Sequence, residues 1–481
     1  MKNDSARTFP LKTSLLLAVA LLMIAAAPAI VRAQTGTPIL GAAEEAKIEK
    51  MLADSGVPSM SIAIVEHDRL VYAKAFGKAS LDPPRAATPK TIYAVGSISK
   101  QFTTAALLLL TEQGKISLDD KVSKYFPELT RANEVTIREL LSHTSGYEDY
   151  APQDYTIPEQ TKPTTPQHIL DEWAKKPLDF TPGTKWQYSN TNYVIAGQIF
   201  EKASGEDLMK FLDAKIFEPL GMTSAVDCSG DKTPEDAVAY TRYVLGPPRP
   251  SLREGRGWFF GAGELCMTPT DLAKWDIAFL SKRILSAHSY DEFTREVRLA
   301  DADRTHYALG LHVGTFDDAI PMISHSGEVS GFLALNRVFP TRHAAVVVLS
   351  NQDAVKLNGP VADEISRWIL EPDYRNQAAP ATPAEIAQVT AIIEGLQQGH
   401  IDRSLLTSNA QFYFTDSALR DIRASLAPLG ALKSLTRQRQ SLRGGMTSRE
   451  YRAQFDKKTL LVSVYLTGDS HYEQFLILQQ L

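Results

Sequence analysis

A serine becomes a nucleophile when a neighbouring base can take its proton, and a lysine three residues further along a helix lies on the same face, one turn away. Ser97, Ile98, Ser99 and Lys100 have that spacing and open an apolar stretch. The N-terminus of such a helix also offers free N–H groups and a positive dipole, so the Ser97 amide is one candidate donor to an oxyanion. Tyr188, Ser189 and Asn190 supply a phenol able to relay protons and an amide able to bind a substrate carbonyl. His325, Ser326 and Gly327 read as a strand edge on which a substrate backbone can lie close, and the amide of the next residue, Glu328, is the second candidate oxyanion donor. Each motif is unspecific by itself. Ser229-Gly230-Asp231-Lys232 repeats the first outline in a polar turn, and Tyr374-Arg375-Asn376 repeats the second. The plainer readings are a helix whose first turn contains Ser and Lys, and a β-turn with two small residues.

The elements that must hold these residues follow from periodicity. Ala43 to Ser55 has helical spacing, and Met60 to Gly77 alternates around His67, Asp68 and Arg69 as a β-hairpin does. From Ser97 the pattern is helical through Leu110, with Gly114 as a stop. Strands return at Leu333–Phe339 and Ala344–Ser350 across the turn Pro340, Thr341, Arg342, followed by a helix near Val361–Leu370. Strands at both ends with helices between predict one antiparallel sheet closed by the two ends of the domain. Between Glu371 and Pro383 a stretch rich in Pro, Ala and Gln reads as a linker. Beyond it Thr382, Pro383 and Glu385 spell a capping box, and a second helix is expected at Asp416–Leu426. Strands follow at Lys433–Arg443, Ser448–Phe455, Thr459–Leu466 and His471–Leu478. The turns between them fall at Gly444 and Gly445, at Asp456 to Lys458, and at Gly468 and Asp469. This small α+β module is faintly similar to cystatin-like and nuclear-transport-factor-like folds, which says nothing about chemistry.

The ordered set Ser97-x-x-Lys100, Tyr188-x-Asn190 and His325-Ser326-Gly327 resembles the penicillin-binding protein and class C β-lactamase-like serine hydrolases. The run Leu140 to Gly146, Pro182-Gly183 ahead of Tyr188, and Pro219 to Met222 beyond it add to the likeness, which spans about Glu44 to Leu370. The resemblance implies an α/β (α+β) fold, an antiparallel sheet flanked by helices with an all-helical region inserted. The expected organisation is a signal peptide over residues 1–33, a catalytic domain over 40–372, a linker over 373–382 and the small domain over 383–481. By the same resemblance Ser97 forms an acyl-enzyme, Lys100 deprotonates it and Tyr188 passes a proton to the leaving group. Asn190 orients the substrate amide, while His325, Ser326, Gly327 and Glu328 bind substrate. No metal or other cofactor is implied, and His143 sits in a loop with a structural role. Two positions depart from the family pattern. His325 stands where Lys is common, which weakens attraction for a substrate carboxylate because imidazole is mostly neutral at neutral pH. Glu264 stands where glycine is usual and is expected to face solvent. The expected substrates are therefore peptides with D-residues or small esters; the alternatives are a β-lactamase and a non-catalytic binder of cell-wall fragments or a partner protein.

Composition limits the rest. Hydrophobic residues make up 44% and charged residues 22%, ordinary values that exclude a wholly disordered or fibrous chain. The net charge of -5 carries no basic excess, so nucleic acid is not an expected partner. Lys2, Arg7 and Lys12 precede an apolar run from Leu15 to Val31 and the pattern Val31-Arg32-Ala33, which reads as a cleaved secretory leader and predicts a periplasmic or secreted protein. No later run is long enough to span a membrane. Cys228 and Cys266 are the two cysteines, and sequence leaves open whether they pair or stay as buried thiols. Oligomeric state is not legible.

Overall fold

Two sets of strands from opposite ends of the catalytic stretch meet at the centre of one sheet. A computed structural model describes residues 39–230, 233, 235–374, 381–443 and 446–479. The leader reading over 1–33, Asp231 and Lys232 of the second Ser-x-x-Lys outline, Arg375 and Asn376, and the turn at Gly444 and Gly445 lie outside the described residues. His67 and Asp68, both at positive φ, close the hairpin between β1 (Ser59–Glu66) and β2 (Arg69–Leu81), and β3 (Pro84–Ala86) extends it. Short strands β4 (Tyr93–Ala94), β5 (Val226–Asp227) and β8 (Leu265–Met267) form a three-stranded patch, and β6 (Tyr240–Thr241) pairs with β7 (Arg249–Pro250). The chain then returns through β9 (His312–Phe316), β10 (Ile320–Val329), β11 (Phe332–Phe339) and β12 (Ala344–Ser350). The seven-stranded sheet runs β3-β2-β1-β12-β11-β10-β9, antiparallel throughout, with β1 and β12 as the joining pair.

Both faces of that pair are covered, which is why β1 and β12 read as unbroken apolar runs. Ile62, Ile64, Val346 and Val348 face one core with Ile48 and Leu52 of α1 (Ala42–Ser55) and Val361 and Ile365 of the helix Asn358–Tyr374. Ala63, Val65, Val347 and Leu349 face the other core with Phe102 of α2 (Ser99–Glu112) and Leu272 and Trp275 of the helix Pro269–Leu280. The inserted helical region includes α3 (Ile137–Leu141), α4 (Pro166–Ile169) and α5 (Asn190–Ser204), the last ended by Gly205 in the left-handed conformation. Beside it, β5–β8 pairing sets Val226 against Cys266 and brings Cys228 and Cys266 to a Cα separation of 5.1 Å, where they form a disulfide.

Beyond the catalytic stretch, helices Pro383–Gln398, Ser408–Tyr413 and Asp416–Leu426 pack on a meander of β13 (Leu432–Arg443), β14 (Met446–Phe455), β15 (Thr459–Leu466) and β16 (Tyr472–Gln479). Its core of Val389, Ile393, Tyr451, Val462 and Val464 draws no residue from the other two. Three expectations change. The helix expected to stop at Leu370 runs on to Tyr374, into the stretch read as linker. Ser408–Tyr413 is an additional helix, too short for its period to show. The Thr382 capping box is half made: Thr382 accepts from the Glu385 amide, but the Glu385 carboxylate is drawn to Arg437 and the Tyr451 hydroxyl instead.

Candidate active site

Gly96, at φ 52°, turns the chain from β4 into a 3₁₀ turn over Gly96–Ile98, so the α-helix starts at Ser99 and not, as expected, at Ser97. Ser97 in that turn and Lys100 in α2 are three residues apart across the junction, one helical turn, which puts both side chains on the same face. Lys100 Nζ lies 3.0 Å from Ser97 Oγ, 2.8 Å from Asn190 Oδ1 and 2.7 Å from the Ala262 carbonyl. Lys100 is fully buried, and burial pulls its pKa down to about 7, with Asp149 as a smaller opposing charge. No carboxylate among the described residues stands within ion-pair distance of it. A neutral amine here can donate to the Asn190 and Ala262 oxygens and accept the proton of Ser97, whose side chain remains partly open to the cleft.

Asn190 opens α5, and its amide group is already committed: Oδ1 to Lys100, and Nδ2 to both oxygens of Asp149 at 3.2 and 3.3 Å. Asp149 also accepts from the Asn190 and Ala151 amides, and burial raises its pKa. Asp149 escaped the sequence reading; it lies three residues past the loop ending at Gly146, and nothing in its spacing marks it.

Tyr188 stands over the amine, with Lys100 Nζ 4.9 Å from its ring centroid. Burial pushes the phenol pKa up, and hydrogen bonding with the Ser97 hydroxyl is the one influence pulling it down, although no bond of ordinary geometry is complete. Beneath the phenol, 4.2 Å between ring centroids, lies His143. Its Nδ1 accepts from the Ser189 amide, and burial, then Lys100, hold its pKa well below the ordinary range. His143 buttresses Tyr188.

β10 forms the opposite wall. Its pairing with β9 ends at Ser324 and His312, which leaves His325 to Val329 with a free edge against the 3₁₀ turn. A Cβ on Gly327 would strike the Val95 carbonyl and lie 3.2 Å from the Ser97 nitrogen; one on Gly96 would lie 2.8 Å from the Glu328 nitrogen. The two glycines thus let the amides of Ser97 and Glu328 approach each other. His325 is 2% exposed, and burial, then His312, hold it neutral. Its Nδ1 lies 2.5 Å from the Ser326 carbonyl, so that nitrogen carries the proton, and Nε2 accepts from the Tyr307 hydroxyl at 2.9 Å. Both ring nitrogens are spent. His312, a second imidazole 5.4 Å away and also missed from sequence, lines the same cleft of about 370 Å³, together with Ser97, Tyr188, Asn190, Ser326 and Glu328.

Glu264 corrects an expectation. It does not face solvent but is half-buried near the Gly261 amide, and burial, then Asp227, raise its carboxyl pKa to about 8. Strand β8 follows directly and carries the disulfide-bonded Cys266, which draws the segment inward.

An antiparallel sheet flanked by helices, with a helical insertion and a lysine-bearing helix start at the cleft, defines the β-lactamase and penicillin-binding-protein-like fold. The Beta-lactamase family model matches residues 45–367, and the chain belongs to that family. PbpX of Bacillus subtilis (strain 168), named as a penicillin-binding protein, is 29% identical over 316 residues, covering 65% of this chain and 75% of that one. The octameric penicillin-binding protein homologue from Pyrococcus abyssi superposes with a TM-score of 0.60 at 20% identity over 91% of this chain and 99% of its own. A D-stereospecific amidohydrolase from Streptomyces sp. gives 0.59 at 25% identity over 70% and 100%. Among the described residues no helix is long and apolar enough to cross a membrane.

Proposed function

We propose that this member of the serine hydrolase family works through an acyl-enzyme on amide and ester bonds, with peptides containing D-residues or small esters as substrates. The observation that carries the reading is the 3.0 Å contact between Ser97 Oγ and a fully buried amine whose pKa is pulled to about 7. The free amine takes the Ser97 proton as Oγ bonds to the carbonyl carbon, and charge gathers on the carbonyl oxygen between the Ser97 and Glu328 amides. Collapse breaks the bond to the leaving nitrogen or oxygen, which receives the proton from Lys100 through Tyr188. Water, deprotonated by the same amine, then cleaves the ester and restores Ser97. Asn190, held by Asp149, fixes the amine. His325 offers no charge to a substrate carboxylate, which disfavours β-lactam turnover, and the D-stereospecific amidohydrolase likeness supports D-configured amides. The leader pattern and the Cys228–Cys266 disulfide support a periplasmic or secreted location.

A fluorescent alkyl phosphonate tests the reading: it should label the wild type and leave Ser97→Ala dark, and equal labelling of both would remove Ser97 as nucleophile. Nitrocefin should turn over far more slowly than with a dedicated resistance enzyme; parity would move the substrate to β-lactams.

A further inference from the structure

Three imidazoles gather at the Tyr188 end of the cleft, and their nitrogens are differently engaged. His143 is fully buried, with Nδ1 taken by the Ser189 amide and Nε2 sealed from solvent. Both nitrogens of His325 are held, one by the Ser326 carbonyl and the other by the Tyr307 hydroxyl. His312 differs on each count. It is half-buried and lines the cleft, no described residue hydrogen-bonds to either ring nitrogen, and neither nitrogen is sealed from solvent. Its backbone is pinned on two sides, by Ser324 of β10 in the last rung of the β9 pairing and by a bridge to Tyr307. Its ring stands edge-on to Tyr307 at 4.8 Å between centroids and beside Trp186 at 6.4 Å. An imidazole held this firmly, with no hydrogen bond to the protein, is preorganised to bond a ligand. Burial lowers its pKa, so at neutral pH it carries one donor and one acceptor nitrogen.

The place of His312 along β10 decides which part of a substrate it meets. Its rung lies at Ser324, four residues and so roughly 13 Å along the strand from Glu328, whose amide faces the carbonyl oxygen. The Tyr188 ring, which hands the proton to the leaving atom, is 6.2 Å from that of His325, and His325 is in turn 5.4 Å from His312. The oxyanion donor and His312 thus belong to opposite stretches of β10, with the phenol on the His312 side. A substrate group that reaches His312 is therefore carried by the leaving group, a few bonds beyond the scissile bond. We infer that His312 determines leaving-group specificity by hydrogen-bonding a neutral carboxamide or hydroxyl at that position. Both groups donate and accept, so they match either tautomer of the ring. A carboxylate there meets no fixed cation, since no Lys or Arg is among the described lining residues. The inference deepens the acyl-enzyme reading above and rests on it.

The test uses three acetyl-D-alanyl amides that share the acyl group and differ in what the leaving amine carries. One leaves as D-alaninamide (carboxamide), one as D-alanine (carboxylate), and one as the amine in which an isopropyl group of the same shape replaces the carboxamide. Each is scored by the concentration at which it protects Ser97 from the phosphonate, a readout that holds whether or not the amide is cleaved. In the wild type the carboxamide compound should protect at a concentration roughly threefold to tenfold below the isopropyl one, the worth of one hydrogen bond, with the carboxylate compound no better than the carboxamide. His312→Phe keeps a ring against Tyr307 but removes both nitrogens, and should bring the carboxamide-to-isopropyl preference to one or below. His312→Gln restores a donor and an acceptor and should recover part of that preference. A merely structural role would weaken all three compounds alike and leave their ratios unmoved. Equal protection by the carboxamide and isopropyl compounds in the wild type, or a preference that survives His312→Phe, overturns the role of His312 while Ser97 still labels. Tightest binding of the carboxylate compound overturns the choice of a neutral group. Absence of labelling overturns the acyl-enzyme reading beneath it.

Discussion

At the scale of single residues, the site is a contest between burial and charge on Lys100. Burial wins, leaving an amine with a pKa of about 7 although Asp149 pulls the other way. Asp149→Asn keeps the acceptor for the Asn190 and Ala151 amides but removes the charge that favours the ammonium. The Lys100 pKa should fall, and the acidic limb of the phosphonate inactivation rate should move to lower pH; an unmoved limb would show that Asp149 is not electrostatically coupled. Tyr188→Phe removes the relay and should cut turnover of a D-amino-acid amide or small ester by about 10² to 10⁴, measured as kcat. The sequence pointed to Ser97, Lys100, Tyr188 and His325 through the order of three motifs, each unspecific by itself, and the fold brings all four residues together around one cleft. Asp149 and His312 were not legible there, since only the fold brings them to the cleft. Glu264 was misread because its burial depends on the chain continuing into β8 and the disulfide, which charge and neighbours in the sequence do not reveal.

Among the elements, the decisive contact is the free edge of β10 against the turn ahead of α2. Gly327→Ala would drive a methyl into the Val95 carbonyl and part the Ser97 and Glu328 amides. Loss of one oxyanion donor costs about 2.7 to 4 kcal/mol, so acylation should slow by about 10² to 10³, while thermal unfolding should show a smaller penalty of about 1 to 3 kcal/mol for the overpacked methyl. An acylation rate within twofold of wild type would separate that edge from the chemistry. Strands and long helices were readable because their periods of 2 and 3.6 persist over many residues. The start of α2 was misplaced by two residues because the chain leaves Gly96, at positive φ, through a 3₁₀ turn of three residues, too few for its period to be told from that of an α-helix.

For the whole molecule, stability comes from three apolar cores and one covalent link. Cys228 and Cys266 are 38 residues apart, and closing a loop of that length stabilises by about 4 kcal/mol in the chain-entropy account. The double variant Cys228→Ser, Cys266→Ser should therefore melt several degrees lower while still accepting the phosphonate, because neither sulfur borders Ser97. The C-terminal meander buries its own core, so a chain ending at Tyr374 should still label at Ser97. Loss of labelling in a folded truncation would give the small module a part in the site. The joining of β1 to β12 was foreseeable from strands at both ends of the domain, but the pairing of Cys228 with Cys266 needed the β5–β8 register.

The most direct measurement is the rate of Ser97 phosphonylation in the wild type between pH 5 and pH 9. A free amine as base requires the rate to rise with pH through one inflection near 7 and then level off. A rate still climbing toward pH 10, as for an ordinary ammonium, or one independent of pH across the range, would contradict the account.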